Sequence, residues 1–67
     1  MVQIYRTNVT TEDQLWRLAP ALDGVAGVLR WTLDLDDCDK VLRIEGNVKT
    51  NISALLKDRG FECEELE

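Results

Sequence analysis

The chain has 67 residues, 45% of them apolar, with two cysteines, no histidine and a formal net charge of −5. That is enough for one domain spanning residues 1–67, with a small core, since a chain of this length buries only about 60% of its unfolded surface on folding. The acidic balance argues against a nucleic-acid backbone or an anionic membrane surface, which require Lys/Arg patches, and leaves a basic partner compatible.

The opening residues Met1, Val2, Gln3 and Ile4 lack the basic and apolar regions of a signal peptide. No apolar run approaches the roughly 18 residues that span a bilayer. The expectation is a cytoplasmic protein whose cysteines are thiols.

Val2 to Thr7 alternates, which predicts a strand with Val2, Ile4 and Arg6 on one face and Gln3, Tyr5 and Thr7 on the other. Thr10 or Thr11 then caps a helix running to about Leu22. Leu15, Leu18, Ala19 and Leu22 form one apolar stripe, Pro20 loosens the last turn, and Asp23-Gly24 closes it with Gly24 free to take positive φ.

Gly27 opens a second strand with Leu29, Trp31, Leu33 and Leu35 toward the core and Val28, Arg30, Thr32 and Asp34 away from it. Asp36 to Asp39 is a hairpin turn, and Lys40 to Gly46 a third strand with Leu42 and Ile44 inward. A second helix is expected over Asn47–Arg59, with Val48, Ile52, Leu55 and Leu56 on one side and Gly60 as its stop. Phe61 to Leu66 is a last strand. The order β-α-β-β-α-β predicts an α+β, ferredoxin-like sandwich, a four-stranded antiparallel sheet with two helices on one face. The expected spatial strand order is fourth, first, third, second, with Glu62, Glu64 and Glu65 discouraging pairing at an edge.

Thr11-Glu12-Asp13-Gln14 fits a capping box. The Thr11 hydroxyl is expected to take the Gln14 amide, and the Gln14 side chain to reach back to the amide of Thr11. Glu12 and Asp13 suit the positive end of the helix. Cys38 lies among Asp34, Asp36, Asp37 and Asp39, a weak candidate for a metal, since a closed zinc site wants four N or S ligands. Asp34, Asp36 and Glu45 match three calcium-loop positions, but Asp39 stands where that loop needs glycine. Cys63 reads as a small buried hydrophobe, its thiolate disfavoured by Glu62 and Glu64. No Ser/His or Cys/His pair is possible, and no Gly-rich phosphate loop exists, so the expectation is a non-enzyme without a cofactor. Only Tyr5 is expected on the open sheet face, too little aromatic surface for stacking RNA bases. Trp16 flanks the apolar stripe, either shielding the core edge or contacting a partner protein.

Several features coincide: a strand ending in Thr7-Asn8-Val9; Pro20-Ala21-Leu22-Asp23; Gly27-Val28; Trp31-Thr32-Leu33-Asp34-Leu35; Asp39-Lys40-Val41-Leu42; and Ile52 eight residues before Gly60-Phe61. Together they resemble the heavy-metal-associated (HMA) domain family, the small copper chaperones and the metal-binding modules of metal-pumping ATPases. In that family the first loop carries a Cys-x-x-Cys pair that holds Cu(I) or Zn(II). Its two cysteine positions fall here on Thr11 and Gln14, and neither is a soft ligand. The resemblance therefore implies a binding module without its metal, keeping a protein-docking surface around Asn8, Thr10, Thr11, Gln14, Trp16, Cys38 and Phe61. Two alternatives stand beside it. One is a copper- or zinc-binding or transport protein with non-standard ligands such as Cys38; the other is a small-molecule sensor like the ACT domains, which share the topology.

Overall fold

The structure is a computed structural model and describes residues 1–66. It is an α+β domain of four antiparallel strands and two helices. The elements are β1 (Val2–Thr7), α1 (Glu12–Asp23), β2 (Val28–Leu33), β3 (Leu42–Gly46), α2 (Ile52–Asp58) and β4 (Cys63–Leu66). The strands lie in the order β2-β3-β1-β4.

One core joins the helices to the sheet. Leu18 and Leu22 of α1 and Ile52 and Leu56 of α2 pack with Tyr5, Leu42, Ile44 and Cys63, while Val9 and Val48 enter from loops. The α1 stripe is as the periodicity implies, with Leu18, Ala19 and Leu22 buried.

Four expectations are corrected. The inward face of β1 carries Tyr5 and Thr7, while Val2 and Arg6 face out, so Tyr5 is a core residue at 5% exposure and not part of the open face. Its hydroxyl stays satisfied: it donates to Gln3 Oε1 at 2.6 Å, and Gln3 Nε2 donates to the Val48 carbonyl at 3.1 Å. That second bond draws residues 47–50 into an irregular segment. The second helix starts only at Ile52, capped by the Asn51 side chain, which accepts the Ala54 amide.

The third correction is in β2. Val28 pairs with Gly46 and Arg30 with Glu45, so Leu29 is an extra residue in a bulge. Leu29 is 85% exposed, whereas Val28, Trp31, Leu33 and Leu35 pack against the core. The cause lies in two glycines. A Cβ on Gly46 would stand 2.1 Å from the Gly27 carbonyl oxygen, and one on Gly27 would stand 2.1 Å from that of Asn47. Backbone presses on backbone here, with φ of 91° at Gly27 and 137° at Gly46.

The last correction is Gly24, whose φ is −84°, in the right-handed region. Its amide bonds back to the helix carbonyls of Pro20 and Leu22, so α1 ends in ordinary turns. The expected stop at Gly60 does have positive φ, 88°.

Candidate docking end

The loop after β1, the segment between β2 and β3, and the entry to β4 meet at one end of the sheet. Thr7 is the tie. Its amide donates to the Asp39 carbonyl at 3.2 Å, its hydroxyl donates to the Lys40 carbonyl at 2.6 Å, and the same oxygen accepts the Val9 amide at 3.3 Å. A threonine at a strand end gives no sign of this in the sequence. Asn8 makes the second tie, its Oδ1 accepting the Glu62 amide at 2.9 Å.

The β2–β3 segment is held from within. Asp34 Oδ1 takes the Asp36 amide at 3.0 Å, and Asp37 Oδ1 takes that of Asp39 at 2.8 Å. These carboxylates mimic a backbone turn, as short acidic side chains do. Lys40 turns the chain with φ of 49° and donates its Nζ to the Leu35 carbonyl at 2.6 Å. Arg6 reaches Asp39 at 3.6 Å. Lys40 and Arg6 are thus engaged, while Glu12, Asp13, Asp36 and Glu62 are exposed.

The positions that the resemblance assigns to metal ligands are occupied by a helix cap. Thr11 has extended backbone (φ −130°, ψ 157°), and its hydroxyl accepts the Gln14 amide at 3.2 Å. The return arm differs from expectation by one residue. Gln14 Oε1 accepts the amide of Thr10 at 2.8 Å and its hydroxyl at 3.2 Å, not the amide of Thr11. Thr11 is already the residue at which the backbone leaves the helix, so the amide within reach is the preceding one.

Trp16 is in the second turn of α1 and is 69% exposed. Helical spacing puts it on the same face as Glu12, Asp13 and Pro20. Pro20 has no N–H to give the Trp16 carbonyl, so the usual helical bond is missing beside this uncovered indole. The other tryptophan contrasts with it: Trp31 packs on the core and donates Nε1 to Asp23 Oδ1 at 2.8 Å. Phe61 is partly buried against the core, with its amide bonded to the Leu56 carbonyl at 2.9 Å. Asn8 and Thr10 are exposed and Gln14 half-buried.

The two thiols differ. Cys38 is exposed and Cys63 is 5% exposed. Burial pushes the Cys63 thiol up from its ordinary value and Glu65 adds to it, while the Ser53 hydroxyl and Lys57 act the other way. The carboxylate that adds to burial is therefore Glu65, not Glu62 or Glu64, and its influence is the smallest of the four. Asp37, Cys38 and Asp39 are the one group among the described residues that could converge on a metal ion, their ligand atoms lying within 4.8 Å of one another. The set mixes one soft donor with two hard ones, and the Asp39 carboxylate is shared with Arg6.

No protein-family model matches the chain, and searches of curated proteins and of solved structures likewise return no significant match. No helix among the described residues is long and apolar enough to cross a membrane.

Proposed function

We propose that this chain is a non-enzymatic binding module of HMA-like type and ferredoxin-like fold, in which the metal-ligand pair is replaced by a helix cap and the loop end docks another protein. The observation that carries the reading is Trp16, 69% exposed beside the acidic residues that open α1. A large apolar ring next to unpaired carboxylates suits a partner with an apolar socket rimmed by Lys or Arg, the kind of aromatic anchor that dominates protein interfaces. Glu12, Asp13, Asp36 and Glu62 provide the rim on this side. The cap supports the same reading, because it orders the first turn of α1 without an ion.

The test is photo-crosslinking in the producing cell. A benzophenone amino acid is placed at Trp16 and, as a control, at exposed Lys49 in the segment leaving the opposite end of the sheet. A partner of this kind is captured from position 16 and not from 49, and its capture falls with added salt and with Glu12→Lys plus Asp13→Lys. Equal capture from both positions refutes the docking end.

A second reading has one observation in its favour, the approach of Asp37, Cys38 and Asp39. It makes the protein a borderline-metal binder with non-standard ligands. Zinc titration of the wild type and of Cys38→Ser decides it, since only this reading has the two differ.

A further inference from the structure

The two edges of the sheet are built differently. β4 is four residues long and carries Glu64 and Glu65, with Glu62 just before it. Short length and charge are the usual guards against pairing with another chain. β2, at the other edge, is six residues long and continues as far as Asp34, whose amide donates to the Val41 carbonyl at 2.9 Å. It holds no Lys, Glu or Pro; its one guard is the bulge at Leu29, which leaves residues 30–34 regular, and among the described residues no other strand pairs with its outer side.

We propose that β2 pairs antiparallel with β2 of a second copy, centred on Thr32, so that the two sheets become one continuous sheet. The backbone sets which residues can pair. Asp34 directs its amide to β3, and backbone groups alternate along a strand, so Arg30, Thr32 and Asp34 bond inward. Trp31 and Leu33 therefore turn their N–H and C=O to the free edge. Centring on Thr32 sets Trp31 of each copy opposite Leu33 of the other, which joins two residues whose backbone groups both point outward.

Charge then selects this register from its neighbours. On the open face it puts Arg30 of each copy opposite Asp34 of the other, with Thr32 facing Thr32 between them. Arg30 keeps 72% of its side chain exposed while touching Glu45 at 3.1 Å, so it can serve both carboxylates. The Asp34 carboxylate is already oriented, because its Oδ1 holds the Asp36 amide. A register centred on Trp31 pairs Arg30 with Thr32 and gives Asp34 no cation from the second copy. One centred on Leu33 pairs Thr32 with Asp34 and moves Arg30 on to Asp36. Only the Thr32-centred register forms both Arg30–Asp34 pairs. The antiparallel arrangement puts the two docking ends at opposite ends of the dimer, so this dimer and the docking reading stand or fall separately.

The test combines sedimentation of the wild type with a charge exchange. The wild type self-associates reversibly, and the amides of Trp31 and Leu33 gain hydrogen-exchange protection as concentration rises while those of β4 do not. Arg30→Asp alone and Asp34→Arg alone each set like charges opposite one another twice, which raises the dissociation constant at least about tenfold. An equimolar mixture of the two variants restores association as a heterodimer, since both facing pairs are again of opposite sign. Circular dichroism confirms that each variant is folded, and if either is not, the wild-type exchange pattern decides. A wild type that stays monomeric to about 1 mM overturns the proposal. So does protection that appears at β4, or a mixture of folded variants that fails to associate.

Discussion

Replacing Thr11 and Gln14 together by cysteine tests how the first loop is laid out. The two positions are one helical turn apart at a strand-to-helix junction, so two thiolates there can converge on one ion. The change removes the Thr11 hydroxyl bond to the Gln14 amide at 3.2 Å and the Gln14 Oε1 bonds to Thr10 at 2.8 and 3.2 Å. All three are solvent-exposed, so water replaces part of what is lost. A cap contributes about 1 kcal/mol and an exposed side-chain bond about half of that. The metal-free variant should therefore lose about 2 kcal/mol, or roughly 8–16 °C in Tm for a domain of this size. Thiols at a helix N-terminus ionise readily, and Cu(I) selects such soft ligands. With free metal at about a thousand times Kd, binding returns about 4 kcal/mol, more than the cap supplied. The measurement is competition against a chromophoric chelator, with melting curves on the same samples. Wild-type protein should not compete for Cu(I), and the double variant should. Tight binding by the wild type that survives Cys38→Ser would refute the replacement of a metal pair by a cap. A double variant that never binds would refute the loop geometry.

Three further outcomes follow from burial and backbone strain. Cys38 should react at once with a thiol reagent and Cys63 only on unfolding. Burial first, then Glu65, holds the Cys63 thiol above its ordinary 9.0, and burial, then Glu65 and Cys63, holds the Tyr5 hydroxyl above 10.0. Above those values the unfolded chain has released protons that the native state keeps. Stability is thus full below the unfolded pKa and falls as pH rises toward the folded one. The urea midpoint should decline from about pH 9 upward, with Cys63→Ala removing the first part of the decline; a midpoint that is flat through pH 10 contradicts this. Gly46→Ala, which forces a Cβ to 2.1 Å from the Gly27 carbonyl at a φ of 137°, should cost more than about 3 kcal/mol, whereas Gly24→Ala should stay within about 1 kcal/mol. Equal losses in chemical denaturation would show that the two strand ends do not press together there.

The sequence by itself determined what depends on neighbours along the chain. The α1 stripe, the cap at Thr11, the stop at Gly60, the acidic turns before Lys40 and the contrast between Cys38 and Cys63 all rest on spacings of a few residues, where side chain and backbone meet whatever the rest of the protein does. Tertiary structure decided what depends on the other side of a contact. The segment Val2–Thr7 has apolar residues on both faces, and Tyr5 went inward because Gln3, itself held by the Val48 carbonyl, accepts from its hydroxyl. Leu29 left the core because Gly27 and Gly46 press backbone against backbone, which adds a residue to β2 and moves Val28 inside. Residues 47–50 stayed out of α2 because the Val48 carbonyl is committed to Gln3, 45 residues away. The residues of the proposed docking end could be listed from the sequence, but the way that end is held together could not. Thr7 and Asn8 stitch it together through partners 32 to 54 residues distant, and no local pattern marks a threonine or an asparagine for that work.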